Sequence, residues 1–231
     1  MKPNLSGIHV AFLAADGFEQ LELTSPRKYL EQHGAGVEIL SLKGGHIRGM
    51  NLMLPGKKVA VDHTIDSVDP VRYDALFIPG GFVNPDKLRQ SDAVLDFVRA
   101  FSASGKPIGV ICHAPWVLAS AGLVAGRTLT SWPGIKDDLR NSGADWHDKA
   151  VVEDGNWISS RGPQDLPKFN PALAKFFAAR ATHSLPVAPA RRSFGLGRWL
   201  GGGLALAGIG YAARWYADRE RSENQAQNAQ P

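Results

Sequence analysis

The chain has 231 residues, with 26 Lys+Arg against 22 Asp+Glu, a formal net charge of +4 and 44% apolar residues. That is enough for one α/β domain with a sizeable core plus an appendage. A single cysteine excludes an internal disulfide framework and a multi-thiolate metal site and fits a reducing compartment. Three of the four net positive charges fall in residues 182–231, which hold six Arg and three acidic residues, and no aromatic side chains alternate with a basic stripe. The composition therefore gives no support for a nucleic-acid partner. The N-terminal apolar run is broken by His9 and closed by Asp16, so no signal peptide is expected.

Ile8 to Ala14 reads as a first buried strand, and Asp16-Gly17 as a turn. Glu19 to His33 reads as a helix with Leu21, Tyr29 and Leu30 toward the core, kinked or restarted at Pro26 and stopped by Gly34 and Gly36. Val37 to Leu42 is a second strand. Lys58 to Val61 is a short strand preceded by a Pro55-Gly56 turn. Ala75 to Ile78 is a clearer strand that ends at Pro79-Gly80-Gly81, where glycine permits close approach of a ligand or another backbone. In Asp92 to Ala103, Val94, Phe97, Val98 and Phe101 recur at helical spacing, with Leu95 beside them.

The stretch from Pro107 to Ala119 carries the most chemistry. An Ile/Val-rich strand stops at Cys112, Pro115 follows, and a helical pattern runs on toward Leu123. A thiol at such a strand–turn–helix junction faces unpaired backbone N–H groups and the positive end of a helix, which favour the thiolate. The arrangement is that of a nucleophile elbow without the G-x-S-x-G pattern. His113 is the adjacent candidate base, although adjacency alone does not bring its ring to the sulfur. The N–H groups of His113 and Gly81 are candidate oxyanion donors. Glu19 and Glu22 lie just beyond the first strand, near the same sheet edge, where a carboxyl can set the ionisation of the thiol. The seven His show no metal-binding spacing, so neither a metal site nor a cofactor is expected.

Beyond the elbow, Thr128 to Ser131 is a strand and Gly134 to Asn141 a helix. Ala150–Glu153 and Asn156–Ser159 flank Asp154-Gly155, a hairpin signal. Leu166 to Ala181 is a closing helix with Leu173, Phe176 and Phe177 inward and a start delayed by Pro171. Alternating strands and helices imply an α/β fold with a mostly parallel sheet covered on both faces and ligands at the strand C-termini. The domain is expected at 1–181, a basic Pro/Ala linker at 182–198, a Gly-rich apolar segment at 199–216 and a polar disordered tail at 217–231. The apolar segment admits three readings: a membrane span, an interfacial anchor or a segment packed on the domain.

The motifs from Ala15 to Leu23, Pro79-Gly80-Gly81, Ile111-Cys112-His113-Ala114-Pro115, Thr128 to Pro133 and Val151 to Arg161 resemble those of the PfpI-type branch of the ThiJ/PfpI superfamily, in order, from about residue 7 to about residue 180. The resemblance implies a flavodoxin-like sandwich with Cys112 as nucleophile, His113 as its histidine, Glu19 as the carboxyl on the thiol, and Gly81 and His113 as oxyanion donors. It implies a homo-oligomer, a dimer or hexamer, in which an acidic residue of a neighbouring subunit completes the site. Asp86 matches that residue after a one-residue shift. Ala114 stands where the family usually has Gly. The implied activities are peptide hydrolysis, removal of glyoxal-type adducts from proteins and cofactor-independent glyoxalase chemistry. The expected enzyme is thus a cytoplasmic thiol hydrolase of the stress response, anchored to a membrane if residues 199–216 serve that purpose. The alternative is a redox sensor or protective binding protein acting through oxidation of Cys112 without turnover.

Overall fold

The structure is a computed structural model that describes residues 3–181. The expected linker at 182–198, apolar segment at 199–216 and tail at 217–231 lie outside the described residues. Among the described residues no helix is long and apolar enough to cross a membrane.

The elements are β1 (His9–Leu13), β2 (Phe18–Glu19), α1 (Gln20–Glu31), β3 (Gly36–Ser41), β4 (His46–Asn51), β5 (Leu54–Ala60), β6 (His63–Thr64), β7 (Ala75–Ile78), α2 (Val83–Leu88), α3 (Asp92–Ala103), β8 (Ile108–Ile111), α4 (Pro115–Ser120), β9 (Thr128–Leu129), α5 (Lys136–Asn141), β10 (Asp145–Trp146), β11 (Val151–Asp154), β12 (Trp157–Ser160) and α6 (Leu166–Arg180). Seven strands form the central sheet in the order β11-β12-β8-β7-β1-β3-β6. All its pairs are parallel except β11–β12, the hairpin that Asp154-Gly155 announces. The central strands β7 and β8 are buried at every position, as strands covered on both faces must be. Phe12 of β1, Phe77 of β7 and Phe169 of α6 meet in one layer as tilted ring pairs, with centroids 4.7 and 6.2 Å apart. On the other face Val94, Val98 and Phe101 of α3 pack with Leu76 and Ile78. Truncating such a buried Phe to Ala costs about 3–5 kcal/mol.

Several local expectations are corrected. Leu21 is 53% exposed, and the inward positions of α1 are Glu22, Leu23, Pro26 and Leu30. Tertiary packing overrides both prolines: α1 runs through Pro26 and α6 through Pro171 as single helices. Pro55-Gly56 is not a turn but part of β5; the turn is at Leu52-Met53, and it joins β5 to an unforeseen strand, β4. Thr128-Leu129 pairs only with β10 in a small separate ladder. The short helix α2 was also not foreseen.

Candidate active site

Strands β1, β7 and β8 run in parallel and end at the same edge of the sheet, and three loops meet there. The elbow after β8 is pinned by its backbone. Cys112 N–H donates to Ser160 O (3.0 Å), Trp132 N–H to Cys112 O (2.9 Å) and Ala114 N–H to Ile111 O (3.0 Å). These bonds hold Cys112 at φ +62°, a left-handed conformation that a side chain adopts only at a cost of roughly 1–2 kcal/mol. The turn projects the thiol above the strand end and brings the ring of His113 back to it, with Nδ1 3.1 Å from Sγ. The doubt about sequence neighbours is thereby resolved: α4 begins only at Pro115, and His113 lies in the turn before it.

The loop after β7 closes over the elbow. A Cβ at Gly80 would stand 2.5 Å from Cys112 Cβ and from Glu22 Oε2, and one at Gly81, which has φ +85°, would stand 2.5 Å from Gly17 O and Glu19 N. Both positions therefore need glycine. Buried Asn84 staples this loop to the one after β1: its Oδ1 accepts from Ala15 N–H (2.6 Å) and its Nδ2 donates to Pro79 O (2.7 Å) and Gly80 O (3.2 Å).

The carboxyl beside the thiol is Glu22. It is fully buried, hydrogen-bonds Cys112 and accepts from Gly80 N–H (3.0 Å), while its Oε1 has no conventional hydrogen-bond partner. The role assigned to Glu19 is corrected accordingly. Glu19 lies at the start of the helix, three positions earlier, and its carboxylate turns away to accept Leu52 N–H at 2.9 Å. One helical turn separates the two, and only the second lands on the inward face of α1.

Burial pushes Glu22 up to about 8, assisted by the charge of Glu19 and opposed by its hydrogen bonds to Cys112 and Gly80. Burial and the charge of ionised Glu22 push the Cys112 thiol up, while the N–H groups of Gly81 and His113, both directed at the sulfur, pull it down. The simple expectation of a thiol depressed by a helix N-terminus is thus corrected: α4 spans six residues, and desolvation outweighs it. The two groups titrate as a pair. Below about pH 8 Glu22 is neutral, its repulsion is absent, and its proton is available to the sulfur. Burial also holds His113 down at about 4, so its imidazole is neutral at physiological pH. Its ring sits among Trp116, Phe82 and Trp132, with centroids 5.3–6.0 Å away.

The thiol opens into a pocket of about 280 Å³ that also touches Phe82, Trp132, Leu52 and Met53. Asp86 does not line it. Its side chain is exposed on α2 and accepts from Gln90 Nε2 (3.1 Å). Among the described residues no carboxylate hydrogen-bonds His113, and none form a cluster able to hold a metal ion. Trp132, Leu52, Met53 and Asn84 were not singled out from the sequence. Asn84 carried a signal, a polar residue three positions after the Pro-Gly-Gly turn.

Comparison with known proteins gives a consistent result. The DJ-1/PfpI family model matches residues 8–176. Deglycase PH1704 of Pyrococcus horikoshii is 45% identical over 157 residues, 68% of this chain and 92% of the relative. Putative cysteine protease YraA of Bacillus subtilis is 41% identical over 162 residues, 70% of this chain and 93% of the relative. The crystal structure of Drosophila melanogaster DJ-1beta superposes with a TM-score of 0.69 at 30% identity, covering 76% of this chain and 92% of that one.

Proposed function

The chain belongs to the DJ-1/PfpI family, and on that premise we propose that it is a Cys112-dependent hydrolase acting on carbonyl carbon, with 2-oxoaldehydes and their adducts on amines as its main substrates. The observation that carries this reading is the convergence of Glu22, His113 Nδ1 and two backbone N–H groups on one thiol at a strained elbow. The names of its relatives, a deglycase and a putative cysteine protease, support it.

In this reading Cys112 Sγ adds to the aldehyde carbon while neutral His113 takes the thiol proton at Nδ1, and the carbonyl electron pair moves onto oxygen. The amides of Gly81 and His113, which face the sulfur, follow the charge to that oxygen. Glu22 gives the oxygen a proton and is reprotonated by the imidazolium, so that both groups return to their starting state. Neutral His113 then accepts the C–H proton and returns it to the neighbouring carbon, while the hydroxyl proton passes through Glu22 to the neighbouring oxygen, which turns the hemithioacetal into the thioester of a 2-hydroxy acid. The oxidation of one carbon and the reduction of the other cancel, so no cofactor is consumed. Water cleaves the thioester, releases the acid and restores the thiol. An aminocarbinol adduct is the same aldehyde with an amine added, and loss of the amine returns it to this path. The chain acts as a homo-oligomer in which Asp86, exposed in its own copy, faces the His113 of another.

Methylglyoxal consumption and peptide hydrolysis, measured for wild type and Cys112→Ala, test the proposal. Dicarbonyl turnover that is lost in the variant is expected. Equal activity in both proteins would refute it, as would stoichiometric peroxide oxidation of Cys112 without any turnover, the mark of a redox sensor.

A further inference from the structure

The β4–β5 hairpin ends in three apolar side chains that stand largely uncovered among the described residues: Leu52, Met53 and Leu54 are 82%, 83% and 70% exposed. An apolar tip is a costly choice for a surface turn. Two of these residues, Leu52 and Met53, share the pocket that holds Cys112, as does the 65% exposed Phe82 across from them. The tip is held in place from below. Leu52 adopts φ +55°, unfavourable for a branched side chain, and its N–H donates to Glu19 Oε2 at 2.9 Å. The next side chain of the same segment, Gln20, accepts Lys57 N–H at 2.8 Å. Neighbouring residues at the start of α1 thus brace both sides of the hairpin.

We propose that the Leu52–Met53 tip is the specificity wall of the catalytic pocket, selecting substrates with an apolar or aromatic group next to the reacting carbonyl, and that Glu19 is the positioning residue that sets it. This rests on the proposed function only in taking Cys112 as the reacting atom. It also gives a use to a carboxylate that faces the pocket without touching the thiol. An aryl group resting on the two side chains removes enough apolar surface from water to change a rate by about tenfold.

The test uses the full chain and its single cysteine, so that every adduct seen by intact mass is on Cys112. The rate of alkylation by N-benzyl-iodoacetamide is divided by that of iodoacetamide and compared with the same ratio for a free thiol. Wild type should exceed the free thiol by about tenfold. Leu52→Ser/Met53→Ser should bring the ratio close to the free-thiol value. Glu19→Ala should lower it severalfold, and Glu19→Gln, which keeps an oxygen for Leu52 N–H, should restore it. A ratio indifferent to the double substitution overturns the proposal. So does a Glu19→Gln ratio as low as that of Glu19→Ala. A ratio that depends on protein concentration would assign the tip to a second copy and overturn it as well. The ratio does not depend on turnover, so missing dicarbonyl activity would count against the proposed function alone.

Discussion

The elbow and the β4–β5 hairpin both face the same pocket, and they are built in opposite ways. At the elbow the supporting groups are buried and closely held: Glu22 is fully buried, Gly80 and Gly81 leave no room for a methyl group, and Asn84 makes three hydrogen bonds. The hairpin tip is exposed, apolar and tied down by Glu19 at the end of β2 on one side and Gln20 at the start of α1 on the other. Chemistry that depends on shifted proton affinities needs the first kind of surroundings, because only desolvation moves a carboxyl as far as Glu22 has moved. Substrate choice tolerates the second kind, where side chains can change without disturbing the core.

The largest effects are expected at the elbow. Cys112→Ala should lower dicarbonyl turnover by at least about 10³-fold, since the covalent route is lost altogether. Glu22→Gln should cost about 10²-fold in kcat, because the group that hands a proton to the oxyanion becomes an amide. The same variant should change how stability depends on pH. A carboxyl raised to about 8 keeps its proton in the folded state while the unfolded chain loses it near the ordinary value of 4.5, so wild-type stability falls as pH rises between these values. His113, held down at about 4 against an ordinary value of 6.5, has the opposite slope between those two, where stability is lost as pH falls. Glu22 therefore acts alone between about 6.5 and 8, and denaturant titrations there should show a decline in wild type that is absent in Glu22→Gln.

Smaller effects separate backbone strain from chemistry. Cys112→Gly should be more stable than Cys112→Ala by about 1 kcal/mol, although both are inactive, because glycine removes the left-handed strain at φ +62°. Gly81→Ala should lose about 1–3 kcal/mol by thermal melting, given its φ and the backbone atoms that meet a Cβ there. The smallest effect belongs to the hairpin: Leu52→Ser/Met53→Ser should leave stability within about 0.5 kcal/mol of wild type. A loss several times larger would show that the tip is packed, and the contrast between the two regions would fail.

The elbow was legible because its parts obey local rules. An Ile/Val strand, a lone cysteine and a proline at the first helical position all lie within a few residues of one another, and the Pro-Gly-Gly turn marks a close approach. The periodicity of α3 and the hairpin at Asp154-Gly155 were legible for the same reason. The choice between Glu19 and Glu22 was not. It turns on which of two acidic residues, one turn apart, faces inward on α1, and the apolar pattern misleads there because Leu21 points outward while a carboxyl is buried. The hairpin was hidden by its composition. Pro55 and Gly56 signal a turn, but they sit in β5, and the actual turn carries Leu52 and Met53, residues with no turn preference. Its conformation comes from the Glu19 contact, which is tertiary.

The central claim is that Glu22, and not Glu19, governs the reactive thiol. It is tested most directly by the pH profile of Cys112 alkylation by iodoacetamide, followed by intact mass, in wild type, Glu22→Gln and Glu19→Gln. Glu22 is ionised where the thiol titrates, and its charge helps push that thiol up, so Glu22→Gln should lower the midpoint and give more thiolate at a fixed lower pH. Glu19→Gln should leave the midpoint within a few tenths of wild type. A midpoint that moves with Glu19 and is indifferent to Glu22 would contradict the account.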